Sequence, residues 1–269
     1  MSLAQQLESL IQDGGMPPER GMSRSGLTLA RITNVNDPDK LNRVKCLPVG
    51  VPEAEETDWC YFMAPMGGKE RGVYFPPQVD DLVVLAYLDD DPHRPVMLGA
   101  IWNTETTPPF TIQDGKVEDF AIRTPQKIDL VLHDEKDKQT VTLTMPSGAV
   151  LQLNDEAQSA TLKDKNGDNA LLMNFKDGEI ELKAKTKLTL SAGDTKITLE
   201  SSGNMTLECS QNMTLKAGAK LAAEAPTIEE KASGQMNLKG AAVQIKSDGT
   251  MDVSATGPAT LKGAIVKIN

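Results

Sequence analysis

The second half of this chain repeats one short pattern: an apolar residue, any residue and a second apolar residue, followed by five or six small, polar or charged residues. Between Leu188 and Val266 this doublet recurs about every eight residues. A short fixed period is typical of elongated repeat proteins, because each unit can bury its apolar face only against neighbouring copies. The pattern therefore predicts a long repetitive segment in place of one large globular core.

The spacing inside each doublet predicts β-strands. Apolar residues at positions i and i+2, such as Met205 and Leu207, lie on one face of an extended strand, whereas a helix would separate them. Glycine and Asn or Asp turns lie between the doublets, for example at Gly203, Asn166–Gly167 and Asp177–Gly178. These residues tolerate the backbone conformations of tight turns, so we expect short strands joined by sharp corners.

One repeat unit is too small to be stable alone. Burying its two apolar side chains contributes about 1.5 to 3 kcal/mol each, whereas ordering eight backbone residues costs on the order of 8 to 16 kcal/mol. Two arrangements could supply the missing stabilisation through strand pairing and stacking: a solenoid made by one chain, or several chains wound around a shared axis. A single-chain solenoid needs bulky inward side chains to fill its interior. Here each unit offers only two apolar side chains, often slender ones, and aromatic residues make up 4% of the chain, which favours the shared axis. The single-chain solenoid remains the alternative.

We therefore predict an intertwined homotrimer whose axis is lined by the doublets. Winding would also hide strand edges that could otherwise pair with further chains. The predicted axis residues are Leu188, Leu190, Ile197, Leu199, Met205, Leu207, Met213, Leu215, Met236, Leu238, Val243, Ile245, Met251 and Val253.

Composition and charge restrict the class of function. The formal net charge of −10 argues against a nucleic-acid partner, because phosphate binding needs a basic surface. Cys46, Cys60 and Cys209 are too scattered for a disulfide framework or a zinc site, so free thiols are expected. The N-terminus does not resemble a signal peptide, and the longest apolar run, residues 82–88, is far shorter than the ~20 residues that span a bilayer. Assembly in the cytoplasm is expected.

The first half divides into three segments. Residues 1–25 start with a helical stripe of Leu3, Leu7, Leu10 and Ile11, which is either a frayed terminal helix or a docking segment. Residues 26–103 contain five candidate strands between turn residues, which predicts a small barrel. The strands are expected at residues 27–35, 43–49, 59–64, 82–88 and 96–101. A connector is expected over residues 104–125, followed by the repeat region over residues 126–269.

The barrel and the start of the repeat region contain an ordered set of motifs. They are Ala30-Arg31-Ile32, Asn36-Asp37-Pro38, Asn42-Arg43-Val44-Lys45, Trp59, Ala64-Pro65, Gly67-Gly68, residues 75–83, residues 91–95, Leu98-Gly99, Trp102-Asn103, Arg123-Thr124-Pro125 and residues 144–149. This set resembles the baseplate spike family, namely phage baseplate assembly protein V and the spike portion of VgrG proteins in type VI secretion. The resemblance implies an all-β chain with an N-terminal OB-fold barrel followed by an intertwined trimeric, triple-stranded β-helix. One departure is Asp80, where the family often has Gly.

The resemblance also implies a function and partners. Members of this family are structural central spikes of contractile injection machines, homotrimeric needles that are mounted on the tube hub and pierce the target envelope. This chain has no room for a hub domain, so a separate hub or baseplate protein is expected at its N-terminal end, with Leu3, Leu7, Leu10 and Ile11 as docking candidates.

The other end of the needle is expected to be a blunt tip. Some phage spikes end in a His-x-His motif that holds a metal ion, whereas the histidines of this chain are His93 and His133. The family caps blunt ends with a PAAR-like protein, which we expect as a partner here. The tip residues are Gly263, Ala264, Ile265, Val266, Lys267, Ile268 and Asn269.

The residues give no indication of catalysis, a cofactor or a metal. Neither histidine is expected beside a nucleophile, and residues 89–91 and 164–169 lack the ligand spacing of calcium loops. Two rival functions stay open. A ligand-binding barrel needs an exposed aromatic and basic face, but Trp59 and Trp102 are expected to pack inside the barrel. A carbohydrate-active solenoid needs carboxylates clustered on one face of the rod.

Overall fold

The computed structural model of the protein describes residues 26–267. Within this range the chain forms seventeen β-strands and a short 3₁₀ turn at Leu88–Asp90. The chain divides into two units, one ending at Glu208 and the other beginning at Cys209. The all-β class predicted from the sequence is confirmed. Among residues 26–267, no helix has the length and apolar character needed to span a membrane.

The first seven strands belong to the N-terminal barrel. They are β1 (Leu27–Asn34), β2 (Lys45–Pro48), β3 (Tyr61–Phe62), β4 (Gly67–Gly68), β5 (Arg71–Gly72), β6 (Leu82–Tyr87) and β7 (Pro95–Ala100). Five of them form a sheet in the order β2–β1–β6–β7–β3, with β3 and β7 parallel and the other neighbours antiparallel. The five strands predicted from the sequence are all present. The small β4–β5 hairpin was predicted only as a turn.

One pair of residues closes this sheet into a barrel. Val44 precedes β2 and Cys60 precedes β3, and these two strands are the edges of the sheet. The N–H of Val44 donates to the carbonyl of Cys60 at 2.9 Å, and the N–H of Cys60 donates to the carbonyl of Val44 at 2.7 Å. The bridge joins the two edges, so their backbone groups are protected from pairing with other chains.

Alternating residues of the strands fill the barrel interior. Side chains at i and i+2 lie on one face of a strand, which places Ile32, Val83 and Leu85 inside. The core cluster consists of Ala30, Ile32, Val44, Cys46, Cys60, Val83, Leu85 and Met97. The three cysteines are free, as predicted from the sequence. Contact with Cys60 and burial raise the pKa of the Cys46 thiol, which therefore stays protonated.

The turn before β6 keeps its geometry without a glycine. Asp80 has a φ of 75°, a left-handed conformation that Gly adopts more readily and that Asp tolerates better than most residues. Its N–H donates to the carbonyl of Ile32 at 2.9 Å, and its carbonyl accepts from Nη1 of Arg31 at 3.1 Å. Two hydrogen bonds to β1 therefore hold the strained residue in place.

A seven-stranded antiparallel meander follows the barrel in the chain. Its strands are β8 (Asp119–Arg123), β9 (Asp129–His133), β10 (Thr140–Thr144), β11 (Val150–Asn154), β12 (Ser159–Lys163), β13 (Ala170–Asn174) and β14 (Glu179–Lys183). Each strand pairs with its neighbours in sequence, so β8 and β14 are the edges. Strand β8 corrects our prediction that residues 104–125 form only a connector: Phe120 and Ile122 are an apolar doublet that we did not recognise as the first of the series.

The strand register places the apolar doublets of this meander on one face. Phe120 lies opposite Leu132, and Ile122 lies opposite Leu130, and the same pairing continues strand by strand to β14. The face consists of Phe120, Ile122, Leu130, Leu132, Val141, Leu143, Leu151, Leu153, Ala160, Leu162, Leu171, Met173, Ile180 and Leu182. We call this surface the apolar sheet face. Its members are half-buried or exposed, so the chain itself does not cover it.

Three further strands contain the first predicted axis doublets. They are β15 (Lys187–Ala192), β16 (Thr195–Glu200) and β17 (Met205–Glu208), paired antiparallel in this order. The register aligns Leu188, Leu199 and Met205 in one row and Leu190, Ile197 and Leu207 in the next. The prediction that these doublets lie on strands is confirmed, and all six side chains share one face.

The second unit differs from the strands predicted for it. Over residues 209–267 the single chain forms no strand and no backbone–backbone hydrogen bond. The doublet residues from Met213 to Val253 are all exposed, with Val253 at 87%. Unlike the doublets of β15 to β17, those of this segment have no ladder partner among residues 26–267 of their own chain.

Replacing Leu85 by Ala is expected to destabilise the barrel by about 2 to 5 kcal/mol, because Leu85 is fully buried and its removal leaves a cavity. The same substitution at Leu27, an exposed residue of β1, is the matched control and should cost less than about 0.5 kcal/mol. Urea unfolding followed by tryptophan fluorescence measures both free energies. Equal losses would contradict the assignment of the core.

Candidate functional site

Both histidines are held by carboxylates. His93 Nδ1 lies 2.7 Å from Oδ2 of Asp58, and His133 Nδ1 lies 2.7 Å from Oδ1 of Asp119. These hydrogen bonds raise the pKa of each imidazole above its ordinary value. Over residues 26–267 no cluster of His, Cys, Asp or Glu is arranged to hold a metal ion. The arrangement of the two histidines is that of ion pairs, without a Ser or Cys nucleophile among their hydrogen-bond partners.

The loop between β1 and β2 is organised by Asp37. Its carboxylate accepts the backbone N–H groups of Asp39, Leu41 and Arg43, at 3.1, 3.0 and 3.2 Å. It also accepts Nε and Nη2 of Arg43 at 2.9 and 2.7 Å, a bidentate pair. These donors, with the guanidinium first, hold the pKa of Asp37 well below its usual range. Two of the motifs that carry the family resemblance, around Asp37 and Arg43, thus form one structural clamp.

Cations and aromatic rings share a surface next to this clamp. The guanidinium of Arg43 lies 5.9 Å from the ring centroids of both Trp59 and Tyr61, and Lys45 Nζ lies 5.6 Å from that of Trp59. Lys45 also pairs with Glu56 at 2.9 Å. Because each cation already has a carboxylate partner, this surface offers little free positive charge to a phosphate backbone.

The acidic loop at residues 164–169 is a capped turn. Asp164 Oδ1 accepts the N–H groups of Asn166 and Asp168, at 3.2 and 3.0 Å. Asp164 Oδ2 accepts the N–H of Asn169 at 3.2 Å and its side-chain Nδ2 at 2.6 Å. The carboxylate therefore serves the turn itself, and these hydrogen bonds lower its pKa.

The prediction for Trp102 is wrong. Its side chain is 66% exposed and lies outside the barrel, because β7 ends at Ala100 and the last ladder bond is donated by Ile101 to Leu82 at 2.9 Å. Trp59 is half-buried beneath Arg43 and Lys45.

Trp102 borders a groove of about 400 Å³ between the barrel, residues 108–110 and strand β8. We call it the junction groove. It is lined by Phe75, Trp102, Pro108, Pro109, Phe110, Asp119, Ala121, Ile122 and Arg123.

The apolar sheet face is an uncovered surface of the first unit. At one end it forms a depression of about 730 Å³, bordered by Phe120, Leu132, Val141, Leu153 and Phe175. A sheet is stable with one face in water only when its apolar face packs on something else. No member of this face from Phe120 to Leu182 was predicted as a site residue, although the doublets Leu130/Leu132, Val141/Leu143 and Leu151/Leu153 have the same spacing as the predicted axis doublets.

The predicted site residues are distributed over several parts of the chain. Six axis residues meet on the face of β15–β17, and the other eight are exposed in the second unit. Of the tip residues, Gly263 to Lys267 are exposed, and Ile268 and Asn269 lie outside the described residues. The hub-docking candidates Leu3, Leu7, Leu10 and Ile11 also lie outside them.

A family model matches the barrel. Residues 28–102 match the model of the type VI secretion system/phage-baseplate injector OB domain. The matched range coincides with the barrel strands β1 to β7, and it contains both the Asp37 clamp and Trp102. The chain thus carries a baseplate injector OB domain, the class to which its motifs pointed. No protein of curated function matches the chain.

Replacing Asp37 by Asn is expected to lower the urea midpoint of the barrel at pH 7, because five donors lose their carboxylate acceptor. Asp39→Asn is the matched control and should have a smaller effect, since Asp39 accepts one bond from Arg43. The pKa of Asp37 is depressed, so its contribution is present above its ordinary pKa of 3.8 and is lost as the pH falls through the folded value. The difference from wild type should therefore shrink in acid. A constant difference would contradict the role of the charge.

Replacing Asp119 by Asn is expected to lower the pKa of His133 toward its ordinary value of 6.5, because Asp119 is the main cause of the increase. The raised pKa means that the pair stabilises the fold below about pH 6.5 and that this stability is lost as the pH rises through the folded pKa. NMR titration of the imidazole C–H signals measures the change, with His93 as the internal control. An unchanged His133 pKa would show that the pair does not form.

Proposed function

We propose that this protein is the structural central spike of a contractile injection machine, a homotrimeric needle that is mounted on the tube hub and pierces the target envelope. The observation that carries the proposal is the order of parts in one chain: an injector OB domain followed by strands whose apolar face is left uncovered. The OB domain supports a structural role in a baseplate. The uncovered face supports assembly with further copies.

The apolar sheet face supports a shared core. Burying a leucine fully contributes about 1.5 to 3 kcal/mol, and seven strands each present two positions of this face. Three copies arranged about an axis would turn their faces inward and enclose one narrow core. The face of β15–β17 would extend this core with Leu188, Ile197 and Met205 among its members.

The second unit supports the winding of chains around each other. Residues 209–267 make no backbone–backbone hydrogen bond within the chain, and buried backbone groups in native proteins are almost always paired. Strands from two further copies would supply the missing ladder partners and cover the exposed doublets. Bending such a rod would break many interchain bonds together, which makes it stiff enough to transmit force.

The partners follow from the two ends of the needle. We propose that residues 1–25, with Leu3, Leu7, Leu10 and Ile11, dock on a separate hub or baseplate protein. The blunt end at residues 263–269 would bind a PAAR-like tip protein, and it would contact the target envelope only transiently. The protein acts mechanically, without an enzymatic step, as a component of a phage tail baseplate or a phage-tail-like particle assembled in the cytoplasm.

The rival single-chain solenoid is less well supported. Successive coils of a solenoid stack their strands in parallel along the axis, whereas β8 to β14 and β15 to β17 form two sheets in which the strands pair antiparallel with their neighbours in sequence. The arrangement leaves one whole face open to solvent, where a solenoid would enclose it. The exposed doublets therefore need other copies.

Replacing Met213 by Asp is expected to abolish trimer assembly while the barrel stays folded. The variant would place three unpaired carboxylates at one level of the axis, and burying an unpaired charge is strongly unfavourable. Thr214→Asp, which alters the alternate face of the same doublet, is the matched control and should assemble. Light scattering should give three times the 29.0 kDa chain mass for wild type and the control. A trimeric Met213→Asp would contradict its axial position, and a monomeric wild type would overturn the needle.

A further inference from the structure

The junction groove and a short arm of the same chain carry complementary apolar surfaces. Residues 111–118 form a hairpin that precedes β8, which we call the connector arm. Gln113 and Lys116 form its antiparallel bridge, with the Lys116 N–H donating to the Gln113 carbonyl at 2.8 Å. Asp114 and Gly115 at the tip have φ values of 49° and 74°, as a tight two-residue hairpin turn requires.

The connector arm presents two exposed apolar side chains. Ile112 is 67% exposed and Val117 is 59% exposed, one on each side of the bridge. Neither residue lines the junction groove of its own chain. The base of the arm is fixed, because the carbonyl of Glu118 accepts the N–H of Asp134 at 2.7 Å. A hairpin with an anchored base and two exposed apolar residues is suited to insertion into a preformed groove.

The junction groove is suited to a protein segment because its charged groups are already paired. Arg123 donates Nε and Nη2 to Asp129 at 2.6 Å each, and its guanidinium lies 4.7 Å from the ring centroid of Phe110. Asp119 is occupied by His133 at 2.7 Å. A saccharide or phosphate ligand needs free donors and acceptors, whereas this groove offers exposed rings and proline surfaces.

The groove also contains an unpaired strand edge. Strand β8 is an edge of the seven-stranded sheet, so one side of its backbone has no ladder partner among the described strands. Asp119, Ala121 and Ile122 of this strand line the groove. An extended or hairpin segment could therefore pair with β8 while its apolar side chains contact the rings, a common mode of peptide recognition.

We propose that the connector arm of one copy docks in the junction groove of the next copy, with Ile112 against Phe75 and Trp102. This proposal rests on the homotrimer proposed above and assigns an interlocking contact to its barrel end. Each chain has one arm and one groove, so the contact is head-to-tail, and a three-fold rotation closes it into a ring in which every groove is filled. Ile122 lies both in the groove and on the apolar sheet face, which makes the contact continuous with the proposed axial core.

Disulfide trapping tests the contact directly. The test uses a Cys209→Ser background, in which the remaining Cys46 and Cys60 are buried. A double variant with Phe75→Cys and Ile112→Cys in the same chain is oxidised with copper phenanthroline. The expected result is loss of the single-chain band on a non-reducing gel and the appearance of linked chains. The two single variants are the controls and should stay unlinked. A double variant that runs only as single chains, while light scattering finds a trimer, overturns the proposal.

Fluorescence quenching provides a second readout that tolerates a failed cross-link. In the wild-type trimer, acrylamide should quench Trp102 weakly, and Ile112→Asp should raise its quenching without changing the trimer mass. Thr111→Asp, at the base of the arm, is the control and should leave quenching unchanged. If the trimer forms but acrylamide quenches Trp102 as strongly as in the urea-unfolded protein, the groove is open. This result overturns the arm contact and leaves the proposed trimer intact. A wild-type monomer overturns the proposed function instead.

Discussion

A β-sheet with one apolar face cannot leave that face in water, and this constraint governs the whole chain after the barrel. The meander from β8 to β14 pairs all of its internal strands within one copy and still leaves a continuous apolar surface. The backbone of its internal strands is paired, whereas the side chains of its apolar face are not covered. In the homotrimer proposed above, side chains of the other copies would cover this face without any rearrangement of the hydrogen bonds that each copy has already formed.

The barrel differs from the meander, because it pairs its backbone and buries an apolar core within one chain. The Val44–Cys60 bridge joins its edges, and a compact cluster around Ile32 and Leu85 fills it. Its loop is held by the Asp37 carboxylate and the Arg43 guanidinium, so two motifs within the matched OB domain have a structural role. A self-sufficient domain is thus joined to a segment whose apolar side chains its own chain leaves uncovered.

The doublet spacing predicted the strands well where the chain pairs with itself. Leu188/Leu190, Ile197/Leu199 and Met205/Leu207 lie on β15 to β17 as expected, because a two-residue period is a local property of an extended backbone. Trp102 was misplaced because its exposure depends on where β7 ends, which the residue type does not indicate. Strand β8 was missed since its doublet follows a proline-rich stretch, and the groove beside it depends on residues far apart in sequence.

Among residues 26–267 the last strand ends at Glu208, and the segment that begins at Cys209 forms none, a difference that affects how the two parts fold. The strand ladders of the barrel and the meander lie within one chain, so the formation of these ladders needs no second copy. The segment beyond Cys209 forms no ladder of its own, so in the proposed homotrimer its folding would wait until copies meet and would depend on concentration. The strands up to Glu208 would then act as a registration collar, from which the three tails zip together toward the C-terminus.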